Sequence, residues 1–256
     1  GVETLTGTSG DDAVTFTGTA NATVSLGTGA DTLTLGDSDD NVTVSGVETV
    51  IGGAGTDTVT MSSGSSLTAS GVEFITGSGG DDAVTLNSAV SGTINLGAGT
   101  DSLTLGNFTN TLALQGVENL TAGSGDDTIT LLSAATGTIS LGTGTDALFL
   151  GDFSNTVTVS GIETVIGGGG TDVVTMSAAG AIAVGGIETL FGSTGGDTVT
   201  LTEAMTGTIS LGDGADTVIL GDAASNVTLI GVENVIAGAG DDGIRSEEHT
   251  SELQSH

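Results

Sequence analysis

The chain has 256 residues, 46 of them glycine, with no proline, cysteine, tryptophan or tyrosine and a formal net charge of −31. That balance excludes DNA, RNA and anionic membranes as partners, because each is held through Lys or Arg contacts to phosphate, and the missing cysteines exclude a disulfide framework and thiol chemistry. No apolar run approaches the roughly 20 residues of a spanning helix, and a signature that otherwise points to disorder is answered by apolar residues, 36% of the chain, that recur periodically.

The first recurring element is the tripeptide Gly-Val/Ile-Glu, which starts at Gly1, Gly46, Gly71, Gly116, Gly161, Gly186 and Gly231. Its spacing defines a super-repeat: residues 1–115 align with 116–230 without a gap, and 231–244 begin a third copy. Gly1 opens in mid-repeat, as an internal piece of a longer chain does. Tandem similarity of this kind marks a solenoid, whose coils bury their apolar faces only against neighbours. We therefore expect one β-solenoid over 1–244.

The second recurring element is Gly-x-Asp followed two residues later by a branched aliphatic. Its aspartates are Asp12, Asp31, Asp57, Asp82, Asp101, Asp127, Asp146, Asp172, Asp197, Asp216 and Asp242. After each comes period-two alternation, as in Asp57-Thr-Val-Thr-Met61 and Asp127-Thr-Ile-Thr-Leu131, the pattern of a strand with one buried face. About ten residues on, a second strand returns, at 41–45, 137–141, 155–160 and 207–211.

The expected fold class is all-β: a right-handed parallel β-roll or β-helix solenoid of about eleven coils, alternating 19 and 25–26 residues per coil. Val14, Leu33, Val59, Val84 and their successors form an inward aliphatic ladder. The long coils carry the Gly-Val/Ile-Glu insert and leave room for a short third side at 47–50, so a two-sided or a locally triangular section is open. Gly sits two before every one of the eleven aspartates, as a turn with positive φ requires.

Stacked coils bring successive turn aspartates to within about 5 Å on one edge. Two unit charges there repel by roughly 1 kcal/mol in water and about 3 kcal/mol at an effective dielectric of 20. The only basic side chains are Arg245, His249 and His256, all in the last residues, so nothing internal offsets this. A divalent cation between turns would, and carboxylate with backbone carbonyl oxygen suits Ca²⁺. The eleven aspartates are the candidate metal ligands. An alternative stays open, in which each Asp caps its own turn without metal. The recurring Glu3, Glu48, Glu73, Glu118, Glu163, Glu188 and Glu233 read as a solvated structural ladder, with added calcium ligation as the alternative, and the polar turns Gly36 to Asn41, Gly106 to Asn110, Gly151 to Asn155 and Gly221 to Asn226 carry ordinary turn chemistry.

GGAGTDTVT at 52–60 and GGGGTDVVT at 167–175 match the nonapeptide of the RTX (hemolysin-type) calcium-binding repeats, and GVENLTAGSGDDTITL at 116–131 also resembles RTX sequence. The resemblance covers essentially 1–244. It implies a parallel β-roll with Ca²⁺ between successive turns, in extracellular or cell-surface proteins exported by bacteria through type I secretion. The chain departs from it in two ways: only one edge bears Asp, giving a single row of ions, and four turns open with Leu26, Leu96, Leu141 and Leu211 where the family has Gly.

Function then follows as the calcium-binding structural or adhesive repeat region of a large secreted protein, an adhesin stalk or an S-layer-like lattice. The partners are calcium ions together with self-assembly or a cell-surface or host ligand, without nucleic acid or membrane insertion. The alternatives are the repeat region of an exported enzyme or toxin whose active domain lies elsewhere, and a metal-free solenoid with an ice-binding Thr face. No enzyme active site is expected, since residues 1–244 hold no His, Lys, Arg, Cys or Tyr to serve as activated nucleophile or cationic stabiliser. At Ile244 the repeat grammar stops, and RSEEHTSELQSH at 245–256 resembles a translated sequencing adapter, so it is set aside as a non-native tail.

Overall fold

The computed structural model describes residues 2–247. They form 28 strands and no helix, and with two strands per coil they make about thirteen turns of a parallel β-solenoid. The chain divides into two compact units, Gly1–Ser133 with Leu141–Gly144, and Ala134–Ser140 with Thr145–His256. Both are built on the same plan.

In the first unit, one parallel sheet runs from Thr4–Thr6 through Asn21–Ser25, Asn41–Ser45, Thr58–Met61 and Phe74–Thr76 to Thr128–Leu131. The chain crosses after every strand to a second parallel sheet, from Ala13–Thr15 through Thr32–Thr34 and Thr49–Ile51 to Asn119–Thr121. In the second unit one sheet runs from Ala147–Phe149 to Asn234–Ala237 and the other from Thr136–Ser140 to Gly243–Glu247. Arg245, Ser246 and Glu247 continue that last strand, paired with Thr228–Ile230; the rest of the tail set aside above lies outside the described residues.

Two features of the expected coil are corrected. Paired residues in neighbouring coils are 16 to 20 residues apart, so no coil is 25–26 residues long and the coils outnumber eleven. The Gly-Val/Ile-Glu insert is not a third side. Thr49–Ile51 after Glu48 is a full strand of the second sheet, paired with Thr32–Thr34 and Ser66–Ser70, and every coil is two-sided. A step of 25 or 26 residues between aspartates is one and a half coils, and it carries the next aspartate to the opposite edge.

The core lies between the sheets and is aliphatic. Inward residues stack in register, Ala22–Val42–Val59–Ile75–Ile94 on one sheet and Leu67–Val84–Leu103–Leu120 on the other. In the second unit, Val157–Val174–Leu190–Ile209–Leu229 repeats the arrangement. The ladder expected from the sequence is thus two facing ladders, with Val14, Leu33 and Val84 on one sheet and Val59 and Ile129 on the other. The interior takes one aliphatic layer from each side, and Phe74, Phe108, Phe149, Phe153 and Phe191 all stand exposed.

Each turn adds to this core. Val47, Val72, Val117, Ile162 and Ile187 of the Gly-Val/Ile-Glu turns are buried, and the preceding glycine holds a left-handed φ of 53° to 61° that swings the aliphatic side chain inward. Leu26, Leu96, Leu141 and Leu211, read from the sequence as replacements for a turn glycine, are fully buried and extend the ladders.

Candidate metal centre

The turn aspartates lie at the start of strands on both edges of each unit, which corrects the single row expected from the sequence. In the first unit Asp12, Asp31, Asp82 and Asp101 precede strands of one sheet, while Asp57 and Asp127 precede strands of the other. In the second unit Asp146, Asp197 and Asp216 stand on one edge and Asp172 and Asp242 on the other. Nine of the eleven are buried; Asp12 and Asp242 are half-buried.

Along each edge the carboxylates are strung together by the backbone. The N–H of Asp12 donates to Asp31 Oδ1 at 2.8 Å, and the N–H of Asp31 to Glu48 Oε2 at 2.8 Å. The run repeats as Asp40 to Asp57 to Glu73 at 3.0 and 2.9 Å, and as Asp82 to Asp101 to Glu118 at 2.8 Å each. In the second unit it is Asn155 to Asp172 to Glu188 at 3.0 and 2.8 Å, and Asp197 to Asp216 to Glu233 at 2.7 Å each. Asp146 likewise donates to Glu163 Oε2 at 2.7 Å.

The glutamates read as surface residues therefore close each run, and several lock it twice. The N–H of Glu48 also donates back to the Asp31 carbonyl, and those of Glu73 and Glu118 to Asp57 and Asp101. A coil without a carboxylate follows and opens the next run through Ser65 or Gly180. The repulsive column is broken into short runs, so the charge load is more local than an unbroken row would make it.

Asp40, Asn110 and Asn155 join these runs although the Gly-x-Asp pattern passes over them. All are buried at the head of a run, where Asp40 and Asn155 accept the N–H of Ala20 and Ala135. Ser38 stands two residues before Asp40 where the motif has Gly, which hides it. The signal that finds these residues is their place four after a glycine and 17 before the next turn aspartate.

The second carboxylate oxygen separates two kinds of turn. Asp12 Oδ2 accepts the N–H of Thr8 at 2.7 Å and its hydroxyl at 3.1 Å; Asp82 is capped by Ser78 at 2.8 and 3.2 Å, and Asp197 by Ser193 at 2.8 and 3.1 Å. Capping of the turn by its own aspartate is therefore realised at these three. At Asp31, Asp57, Asp101, Asp172 and Asp216 the buried Oδ2 has no donor.

In these turns the residue four before the aspartate differs with the state of Oδ2, although Asp242 is also open with Gly238 outside the positive-φ set. That residue is Gly27, Gly53, Gly97, Gly168 or Gly212 in the open turns just named, at φ of +85° to +109°, which turns its N–H away from the carboxylate. Positive φ two before the aspartate accompanies the open turns, at Gly29, Gly55, Gly99, Gly170 and Gly214, but not Gly10, Gly80 or Gly195. The expectation that all eleven glycines adopt it is thereby corrected.

Backbone oxygen completes the open turns. A Cβ on Gly29 would lie 2.8 Å from the Gly10 carbonyl oxygen, one on Gly55 2.7 Å from that of Ser38, and one on Gly214 2.7 Å from that of Gly195. A side chain at these glycines would run into a carbonyl of the preceding turn, so the stacked turns approach backbone to backbone. Among the described residues no three His, Cys, Asp or Glu side chains converge on one point, so a cation here would need backbone carbonyl oxygen beside the carboxylate. Those hard oxygen donors fit Ca²⁺.

The electrostatics agree. Burial raises the Asp57 carboxyl from its usual 3.8 to about 6, against the Asp40 N–H that lowers it, with the charges of Asp40, Glu73 and Asp39 adding to the rise. Burial also raises Asp101, Asp127 and Asp172; Glu118 and Glu188 add their charge at Asp101 and Asp172, while the Asn110 and Asn155 side chains partly offset it at Asp127 and Asp172. Among the described residues the one cationic side chain is Arg245, paired with Glu247 at 2.8 Å.

Residues 16–46, 42–64 and 113–131 match the RTX calcium-binding nonapeptide repeat, in four copies. Those stretches, less than half of the chain, are similar to RTX calcium-binding repeats. The matched stretches contain the turns of Asp31, Asp57 and Asp127, and Ca²⁺ is the ion that RTX repeats bind. Comparison of the sequence with curated proteins gives no match.

Proposed function

We propose that this RTX solenoid is a calcium-stiffened structural or adhesive region of a large secreted or cell-surface bacterial protein, with aspartates of the open turns as the protein's ligands to the ions. One observation carries the reading: buried carboxylate oxygens without a donor recur along both edges of each unit, as at Asp31, Asp57, Asp101, Asp172 and Asp216, in a chain of net charge −31. A buried ionised carboxylate without a partner is costly, and a bound dication removes that cost at every open turn. When bound, Ca²⁺ neutralises adjacent carboxylates and ties neighbouring coils. The chain's own part is to hold Oδ1 on the preceding coil's N–H and to leave Oδ2 and the carbonyls open.

Support for a mechanical rather than a catalytic role comes from the side chains at the edges, which are carboxylates, amides and hydroxyls with no paired base and nucleophile. Secretion and surface display accord with the RTX resemblance. A repeat region belonging to an exported enzyme or toxin is distinguished by the flanking sequence, where a catalytic domain would stand in place of further 115-residue copies.

A second reading has its own observation. On one sheet of the first unit Thr32, Thr49, Thr68, Thr85, Thr104 and Thr121 form an unbroken outward column, one per coil. The column beside it is interrupted by Ile51, which weighs against a flat ice-binding face. Thermal hysteresis of the purified chain tests that reading.

The deciding experiment for the calcium reading is circular dichroism of the full chain in EGTA and then in added Ca²⁺, with equilibrium dialysis to count bound ions. The expected outcome is loss of β signal in chelator and its return at low-millimolar calcium or below. A chain that binds no calcium and keeps its spectrum in EGTA overturns it.

A further inference from the structure

Within each run the two leading positions do different things. The first residue, Asp12, Asp40, Asp82 or Asp197, has its Oδ2 capped from within its own turn, by Thr8, Gly36, Ser78 or Ser193. The second, Asp31, Asp57, Asp101 or Asp216, has Oδ1 engaged by the first residue's N–H and Oδ2 buried with no donor. The chain also varies the first position and not the second. Asn155 and Ser225 stand where Asp40 stands, make the same N–H contact to the next carboxylate, and are followed by Asp172 and Asp242. A neutral residue therefore suffices at the first place.

We propose that the carboxylates divide the work: the second aspartate of each run is the ion-holding ligand, and the first is an inter-coil hydrogen-bond acceptor whose charge is dispensable. The turns bearing Thr8, Ser78 and Ser193 thus spend the carboxylates of Asp12, Asp82 and Asp197 on their own backbone. Calcium loads once per run, in the cleft between a capped turn and the open turn stacked on it, and not once per Gly-x-Asp turn. At Asp31, Asp57, Asp101 and Asp216 the residue four before is a glycine at positive φ that makes no hydrogen bond to Oδ2, whereas Thr8, Ser78 and Ser193 supply both N–H and hydroxyl to theirs. The proposal rests on the calcium reading given above and narrows it to particular residues.

The test uses the full chain in excess Ca²⁺, with bound ions counted by equilibrium dialysis and elemental analysis, and the melting temperature followed alongside. Asp101→Asn should lower the count by about one ion per chain relative to the unaltered protein, and Asp216→Asn should do the same in another run. Asp82→Asn, which reproduces the side chain found at Asn155, should leave the count unchanged. Ser225→Asp adds a carboxylate at a first position and should add no ion, a result that does not depend on the stability of the other variants. An equal loss from Asp82→Asn and Asp101→Asn, or an ion gained by Ser225→Asp, overturns the division of work while leaving the calcium reading intact. An unaltered chain that binds no calcium overturns the calcium reading itself.

Discussion

At the scale of single residues, the protein places one side-chain type in two settings, capped within its own turn at Asp12, Asp82 and Asp197 and buried with an open Oδ2 at Asp31, Asp57 and Asp101. Buried carboxyls whose pKa is raised bind protons more tightly folded than unfolded, so their ionisation opposes folding. For Asp57, raised to about 6 from 3.8, the metal-free fold loses stability as pH climbs through that window and carries the full penalty above it. Asp101, Asp127 and Asp172 act in the same direction. In EGTA, melting temperature should therefore fall between about pH 4 and pH 7. With Ca²⁺ present the dependence should flatten or reverse, because the ion takes the deprotonated form, and calcium added near the acidic end should release protons measurable by pH-stat. The closing glutamates offer a second check. Glu73→Ala strands the buried N–H of Asp57, now donated to Oε2 at 2.9 Å, and should cost about 1–3 kcal/mol in urea unfolding; Glu73→Gln, which keeps an acceptor oxygen, should recover most of it.

At the scale of elements, the coil is a strand, a turn, a strand and a turn, and the turns do as much packing as the strands. Leu26 shows this. Its place in the motif is that of a turn glycine, yet it is fully buried and its N–H pairs with the Ser45 carbonyl of the next coil, so it serves as an extra rung of the ladder. Leu26→Ala should cost roughly 2–5 kcal/mol, as large-to-small changes in packed cores do, with calcium stoichiometry unaltered. Gly52 shows the reverse constraint. A Cβ there would collide with the Gly71 carbonyl and lie 2.5 Å from Asp57 Oδ2, so the coil that ends in Gly71 can close on the turn only while that position lacks a side chain.

For the molecule as a whole, the governing quantity is charge. Self-repulsion at −31 favours expansion, and added salt screens it only over a Debye length of about 8–10 Å. Small-angle scattering of the chelated chain should show partial compaction in about 0.5 M NaCl, where screening is nearly complete beyond a few ångströms, and full compaction in millimolar calcium at low ionic strength. Equal compaction by the two salts would mean that general screening, rather than seated ions, holds the fold together.

Much of this was legible beforehand. Period-two alternation after Asp57 and Asp127 marks strands because a strand has two faces, and glycine near an aspartate marks a turn because few other residues reach positive φ. With no internal base in the repeats, the sequence alone determined an all-β solenoid with oxygen-lined turns and a need for cations. Tertiary structure decided the rest. Nothing local tells a residue whether it has travelled one coil or one and a half, so only the inter-strand hydrogen bonds assign Asp31 and Asp57 to opposite edges. The turn before Thr49–Ile51 looked like an insert because it lacks Gly-x-Asp, although it closes a coil of ordinary length. Whether a carboxylate is spent on its own turn or left open depends on the dihedral angle of a glycine and on which backbone groups of the neighbouring coil lie within reach, and those are properties of stacked coils rather than of a stretch of chain.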